Sequence, residues 1–193
     1  MAGIISRRGM LAVAGAATAA LAAGGAGAEA VLGDDGLYHE PWFLHSFLEL
    51  ADDLGAAAAA GKRFAILWEL RGCPYCRETH LVNLARADIA DFIKANFDVL
   101  QLDIIGSRRV TDFDGSVVSE KQLAGRYGIR FTPTVQFFPQ TAAGLGALPP
   151  TQREVARAPG YLLPDDFLAL FRFVQEGAYE SKSFIEYLRA ARS

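Results

Sequence analysis

The two cysteines of this 193-residue chain, Cys73 and Cys76, stand as C-P-Y-C between an apolar run, Phe64 to Leu70, and a stretch with helical periodicity, Arg77 to Arg86. A strand must therefore hand over to a helix at the dithiol. The expected helix carries apolar residues at Leu81, Leu84 and Ala85. Pro74 takes its first position, where a missing N–H is harmless. Cys73 then meets unpaired backbone N–H groups and the positive end of the helix dipole. Such a site favours the thiolate, the reactive form of cysteine.

Other uses of the pair fit less well. A disulfide closing so short a loop removes little entropy from the unfolded chain, so a structural staple gains little. Structural zinc takes about four ligands. The chain offers two sulfurs with His39, His45 and His80, and of the histidines only His80 shares a helical face with the pair. A redox dithiol is the leading reading, with no metal and no cofactor beyond the Cys73–Cys76 disulfide.

The N-terminus reads M-A-G-I-I-S-R-R-G-M-L and continues without a charge to Ala28. A basic start, a weakly apolar stretch and small residues at Ala26 to Ala28 form the layout of a cleavable export signal over residues 1–28. Ser6, Arg7, Arg8 and Leu11 resemble a twin-arginine signal, with Met10 where phenylalanine is commoner. The alternative is an uncleaved anchor, since the uncharged stretch approaches the length that spans a bilayer, but its alanines and glycines insert weakly. Cleavage after Ala28 leaves residues 29–193 as one domain with 17 basic and 22 acidic side chains. Nothing basic and clustered suggests nucleic acid. Periplasmic export suits a dithiol protein, because disulfides persist there.

Within residues 29–193 the pattern predicts an irregular arm to Pro41, then a helix from Trp42 with apolar positions Phe43, Phe47, Leu50 and Leu54. Gly61 ends it before the Phe64 strand. Asp88 is expected to cap a short helix, followed by a strand over Phe97 to Ile104. Gly106 to Val118 is a charged loop or hairpin turning at Asp114-Gly115. Its Asp112 and Asp114 lack the later ligands of a calcium loop. Ser119 caps a helix ended by Gly128, and Thr134 to Phe138 is a strand with an antiparallel partner in Gln152 to Ala158. Helices over Asp165 to Gln175 and Ser183 to Ala190 close the chain. Strands alternating with helices predict an α/β fold, a central mixed sheet flanked by helices.

C-P-Y-C after a strand, followed by Y-G-I-R-F-T-P-T-V-Q-F-F at Tyr127 to Phe138, resembles the thioredoxin superfamily over most of residues 29–193. The resemblance implies a cis Pro133 facing the dithiol, with Thr132 offering its backbone to an extended substrate as an added strand. It implies the same groove for Gly160, in A-P-G-Y. Two departures stand out. Arg71-Gly72 replaces the usual tryptophan-containing approach to the first cysteine, and Leu67 occupies the place of a buried acid. Glu69 lies on the same strand face as Leu67; it is either a substitute proton acceptor or a solvated strand-end carboxylate. His80 either tunes Cys76 or is an ordinary surface histidine. Arg71 is placed to support the Cys73 thiolate.

The export signal, R-G-C-P-Y-C-R-E-T-H, the F-D-V-L-Q-L-D-I strand and the T-D-F-D-G loop are most similar to SoxW-type thioredoxins of bacterial sulfur oxidation. That resemblance implies a periplasmic dithiol protein, monomeric, which keeps an exported partner's cysteine reduced and is recharged by a membrane thiol–disulfide carrier. A Dsb-like oxidant or isomerase is the enzymatic alternative. The chain between Cys76 and Pro133 has little room for a large inserted helical domain, and the segment before Phe64 is short for a dimerisation domain. A non-catalytic module capturing a metal or a partner through Cys73, Cys76 and His80 is the alternative from another class.

Overall fold

The computed structural model describes residues 30–192, so the expected export signal lies outside the described residues. The described part opens with a hairpin, β1 (Val31–Leu32) and β2 (Tyr38–His39), in place of the expected irregular arm. The turn closes because Asp35 accepts from the Leu37 N–H and Gly36 adopts φ +80°. Then follow α1 (Leu50–Ala59), β3 (Arg63–Glu69), α2 (Pro74–Glu78), a π-helical turn (Thr79–Leu84), α3 (Ala87–Asn96) and β4 (Phe97–Asp103). A second hairpin, β5 (Arg109–Thr111) and β6 (Val117–Ser119), leads into α4 (Glu120–Arg126), β7 (Thr134–Phe137), β8 (Ala156–Pro159), α5 (Pro164–Gln175) and α6 (Phe184–Arg192).

The central sheet has the order β4-β3-β7-β8, with β3 parallel to β4 and antiparallel to β7, and β7 antiparallel to β8. Alternation along β3 divides its side chains between two cores. Phe64, Ile66 and Trp68 pack with Leu50 and Leu54 of α1 and Leu123 of α4. Ala65 and Leu67 face Ile89 and Ile93 of α3 and Phe167, Leu170 and Phe171 of α5. Phe97, Phe137 and Phe171 meet edge-on there, with ring centroids 4.9–5.7 Å apart. Glu69 continues the Ala65 and Leu67 face to the end of the strand, where the dithiol begins.

Four sequence expectations are corrected. Trp42 to Phe47 is not helical: Leu44 donates to the Val99 carbonyl, and the Ser46 hydroxyl takes the Leu48 N–H, so tertiary and side-chain bonds displace a helical turn. Phe47, expected in the core, is 98% exposed. Asp88 lies in the first turn of α3 rather than at its cap, which is Arg86, and its carboxylate is gripped by the Arg86 guanidinium. Ser119 does cap α4, in a reciprocal capping box with Gln122. The partner strand of β7 starts at Ala156 rather than Gln152, because Arg153 turns inward and binds the Leu148 carbonyl.

Candidate active site

Cys73 is the N-cap of α2 and Pro74 its first residue. The Cys73 sulfur accepts the Cys76 N–H at 3.2 Å, so an otherwise orphaned helix donor points at it. Cys73 is half-buried, while Cys76 is buried one turn further in. The attacking role suits the accessible sulfur, because a substrate disulfide must approach it in line.

Across the groove the Thr132–Pro133 peptide is cis. The Cys73 Sγ lies 3.6 Å from the Thr132 carbonyl oxygen and 3.5 Å from the Thr132 hydroxyl. Gly160 donates its N–H to the Pro133 carbonyl at 2.7 Å and has φ +87°, a left-handed conformation that a side chain would strain. Cys73, Thr132, Pro133 and Gly160, far apart in sequence, thus form one wall and floor. Exposed Tyr75 and Phe131 also stand near this site in sequence, and Tyr75 stacks on Tyr161 at 5.8 Å. Arg71 lines the same cleft as Cys73, and its guanidinium pairs with Asp103 at 3.5 Å.

His80 is no surface residue; it is 1% exposed. The regular helix expected over Arg77 to Arg86 widens into the π-helical turn, which leaves Leu81 and Val82 exposed and rotates Thr79, His80, Asn83 and Leu84 inward. Asn83 donates to the Leu162 carbonyl and accepts from the Tyr161 hydroxyl, both at 3.0 Å, which ties the turn to the chain after β8. His80 Nδ1 lies 3.0 Å from Glu40, and Nε2 lies 3.1 Å from Glu69. Both nitrogens donate to carboxylates, which requires the charged ring and leaves neither nitrogen for a metal.

Glu69 is likewise buried, not solvated, and also accepts from the Gln101 amide, while Glu40 accepts from the Trp42 indole N–H at 3.1 Å. Glu40, Gln101 and Asn83 escaped the sequence reading. No periodicity or motif marks them, because each acts through a contact between distant segments.

Burial works against charge on His80, but the hydrogen bonds and charges of Glu40 and Glu69 outweigh it and push its pKa up to about 9. Burial, helped by the bond to Cys73 and the negative charge of Glu69, pushes the Cys76 thiol far up. Because the folded protein holds the His80 proton more tightly than the unfolded chain does, the stabilisation is complete below about pH 6.5 and is lost as pH rises through about 9. Urea unfolding of the disulfide form, in which no thiol titrates, should show this loss across that interval. His80→Gln should flatten it; an unchanged pH dependence in that variant would remove the buried imidazolium from the account.

A dithiol at a helix N-terminus, facing a cis-proline loop beside a four-stranded mixed sheet, defines a thioredoxin-fold protein. The chain belongs to the thioredoxin-like domain family, whose sequence pattern matches residues 50–175. No curated protein matches it in sequence. Among solved structures it is similar to a thioredoxin-fold protein from Helicobacter pylori, at 21% identity and a TM-score of 0.57, covering 77% of this chain and 89% of that one. It is also similar to a thioredoxin from Thermus thermophilus, at 24% identity and a TM-score of 0.48, covering 64% and 81%. Chloroplastic thioredoxin z follows at 18% identity and a TM-score of 0.38, covering 66% and 86%. The first of these likenesses concerns the fold alone.

Proposed function

We propose that the protein is an exported thiol–disulfide oxidoreductase that works as a reductant in the periplasm. Cys73 attacks a target disulfide, a mixed disulfide forms, and Cys76 displaces the partner's thiolate. The observation that carries this reading is the position of the Cys73 sulfur: accessible, at the N-terminus of α2, and 3.6 Å from the Thr132 carbonyl. The half-exposed Thr132 segment suits pairing with an extended substrate segment. The twin-arginine-like start and the motif resemblance support service to an exported protein with a cysteine or disulfide, in the manner of SoxW-type thioredoxins, with a membrane thiol–disulfide carrier as electron source. Burial that holds Cys76 protonated favours a reducing poise, because less stabilises the dithiolate state.

The test is the reduction potential of the Cys73–Cys76 couple against a dithiothreitol or glutathione buffer. A value between about −200 and −270 mV, with reduction of insulin when a strong dithiol recharges the protein, is expected. A value above about −150 mV with rapid oxidation of reduced peptides would make the protein a Dsb-like oxidant instead.

A further inference from the structure

The cleft that Cys73 and Arg71 line has a volume of about 610 Å³ and shares no residue with the wall of Thr132, Pro133 and Gly160. Cys73, Pro74 and Cys76 border it on one side, and the N-terminal hairpin contributes Leu32, Leu37 and Tyr38. The hairpin precedes residues 50–175, so part of the cleft comes from outside the matched family domain. It is fitted closely to the approach to the dithiol. Gly36, at φ +80°, comes so near that a Cβ on it would lie 3.2 Å from the Arg71 Cβ. Leu32 is left more than half exposed, an apolar side chain at the edge of the cleft.

The solvent-facing charge here has one sign. Arg71 and Arg77 line the cleft with more than half of each side chain exposed. Each has one ion pair among the described residues, and a long one: Arg71 with Asp103 at 3.5 Å, Arg77 with Glu78 at 3.6 Å. Arg86, Arg108 and Arg157 are held more tightly elsewhere, at 2.6–2.7 Å. A guanidinium carries several N–H donors in a planar fork, so those of Arg71 and Arg77 can serve a further acceptor. The cleft's own carboxylate, Glu69, is buried and engaged by His80 and Gln101. The whole chain has a formal charge of −3, so a positive spot at the dithiol runs against the long-range field of the protein.

We propose that this cleft is a docking surface for the residues beside the reactive cysteine of a partner protein, and that it selects a segment in which those residues are acidic. A carboxylate takes the forks of Arg71 and Arg77, while its aliphatic stem lies on Leu32. The inference rests on the exchange reading above. Arg77 follows Cys76 directly and only Gly72 separates Arg71 from Cys73, so a segment bonded to Cys73 brings its neighbouring residues within their reach. Forked guanidinium groups suit carboxylates and discriminate by charge as well as by shape. The two arginines take no part in the bond changes. Two electrons pass from the dithiol to the partner's disulfide, the Cys73–Cys76 bond forms, and the partner's two sulfurs leave as thiols with the two protons of the dithiol.

The test uses reduced full-length protein, freed of reductant, in excess over short peptides that carry one central cysteine and are supplied as symmetric disulfide dimers. Attack on either sulfur then gives the same products. The residues flanking the cysteine are Glu in one peptide and Gln in the other, and loss of dimer is followed by chromatography of acid-quenched samples at about pH 7. Each rate is divided by the rate with dithiothreitol, which removes the effect of the charges on the peptide's own disulfide. The Glu dimer should react about fivefold faster than the Gln dimer at low salt, and within about 1.5-fold of it at about 1 M salt, where screening acts over about 3 Å. Arg71→Gln with Arg77→Gln should abolish the preference. Leu32→Glu, which leaves the arginines and the dithiol untouched, should reduce it at least about twofold through like-charge repulsion. Lys182→Glu makes the same change in net charge as the double arginine variant, at an exposed site between α5 and α6, and should leave the preference as it is.

A Glu dimer that reacts no faster than the Gln dimer in the wild type, which needs no variant to fold, overturns the proposal. So does a preference that survives in the double arginine variant, or one that Lys182→Glu removes equally, since net charge alone would then account for it. An unchanged preference in Leu32→Glu removes the hairpin from the docking surface. Failure of the wild type to reduce either dimer would be a different result, the failure of the exchange reading itself.

Discussion

Cys73→Ser is expected to abolish disulfide reduction, lowering insulin turnover by about a thousandfold or more, because the hydroxyl that replaces the sulfur cannot form the mixed disulfide. Cys76→Ser is expected to fail in the opposite way. Its Cys73 still faces the groove at Thr132, so it captures a partner and cannot release it. A gel under non-reducing conditions should show covalent adducts of Cys76→Ser with exported proteins in periplasmic extract, dissolved by dithiothreitol, and none of Cys73→Ser. Adducts on the wrong variant would exchange the roles of the two sulfurs. None on either would favour a binding module over an exchange enzyme. Burial separates the two phenotypes: Cys76 is 5% exposed, too enclosed to meet a large substrate first.

Arg153→Met should destabilise the fold by about 3–5 kcal/mol. Arg153 is 2% exposed and pairs with buried Asp112 at 2.9 Å; its guanidinium also reaches the Tyr127 hydroxyl, Asp114 and the Leu148 carbonyl. Tyr127 in turn donates to Asp112 at 2.7 Å. The loop residue Asp112, weighed above as a calcium ligand, thus holds the β5–β6 hairpin to the connection before β8. Removing the cation leaves a carboxylate buried without its main counter-charge, and that penalty exceeds the value of the pair itself. For a chain of this size the thermal midpoint should fall by about 10 °C. Replacing both charges, Asp112→Asn with Arg153→Met, should recover much of the loss. A drop below about 1 kcal/mol in the single variant would show that water reaches the cluster and screens it.

The elements that sequence reading placed well are those whose signals are local. The strand over Phe64 to Leu70, the turn at Asp114-Gly115, the capping box opened by Ser119 and the stop at Gly128 each depend on neighbours within a few residues. The failures share a cause too. Trp42 to Phe47 has apolar residues at helical spacing, yet its Leu44 N–H goes to the Val99 carbonyl of β4, and spacing carries no information about a strand brought in from afar.

The π-helical turn is the failure with consequences for function. Regular periodicity puts Leu81 inward and makes His80 ordinary. One wider turn exchanges the faces, and what compensates it lies far away: Glu40, Glu69, Leu162 and Tyr161 supply the partners of His80 and Asn83.

From the chain alone came the dithiol, its place between strand and helix, the α/β class and the resemblance that pointed to Thr132, Pro133 and Gly160, because reactive groups and local propensities are written residue by residue. Only the tertiary structure decided the electrostatics around that dithiol. Whether Glu69 is solvated or sealed and whether His80 is surface or imidazolium depend on burial and on charges that approach through space. Both are properties of packing, and packing joins residues that the sequence keeps dozens of positions apart.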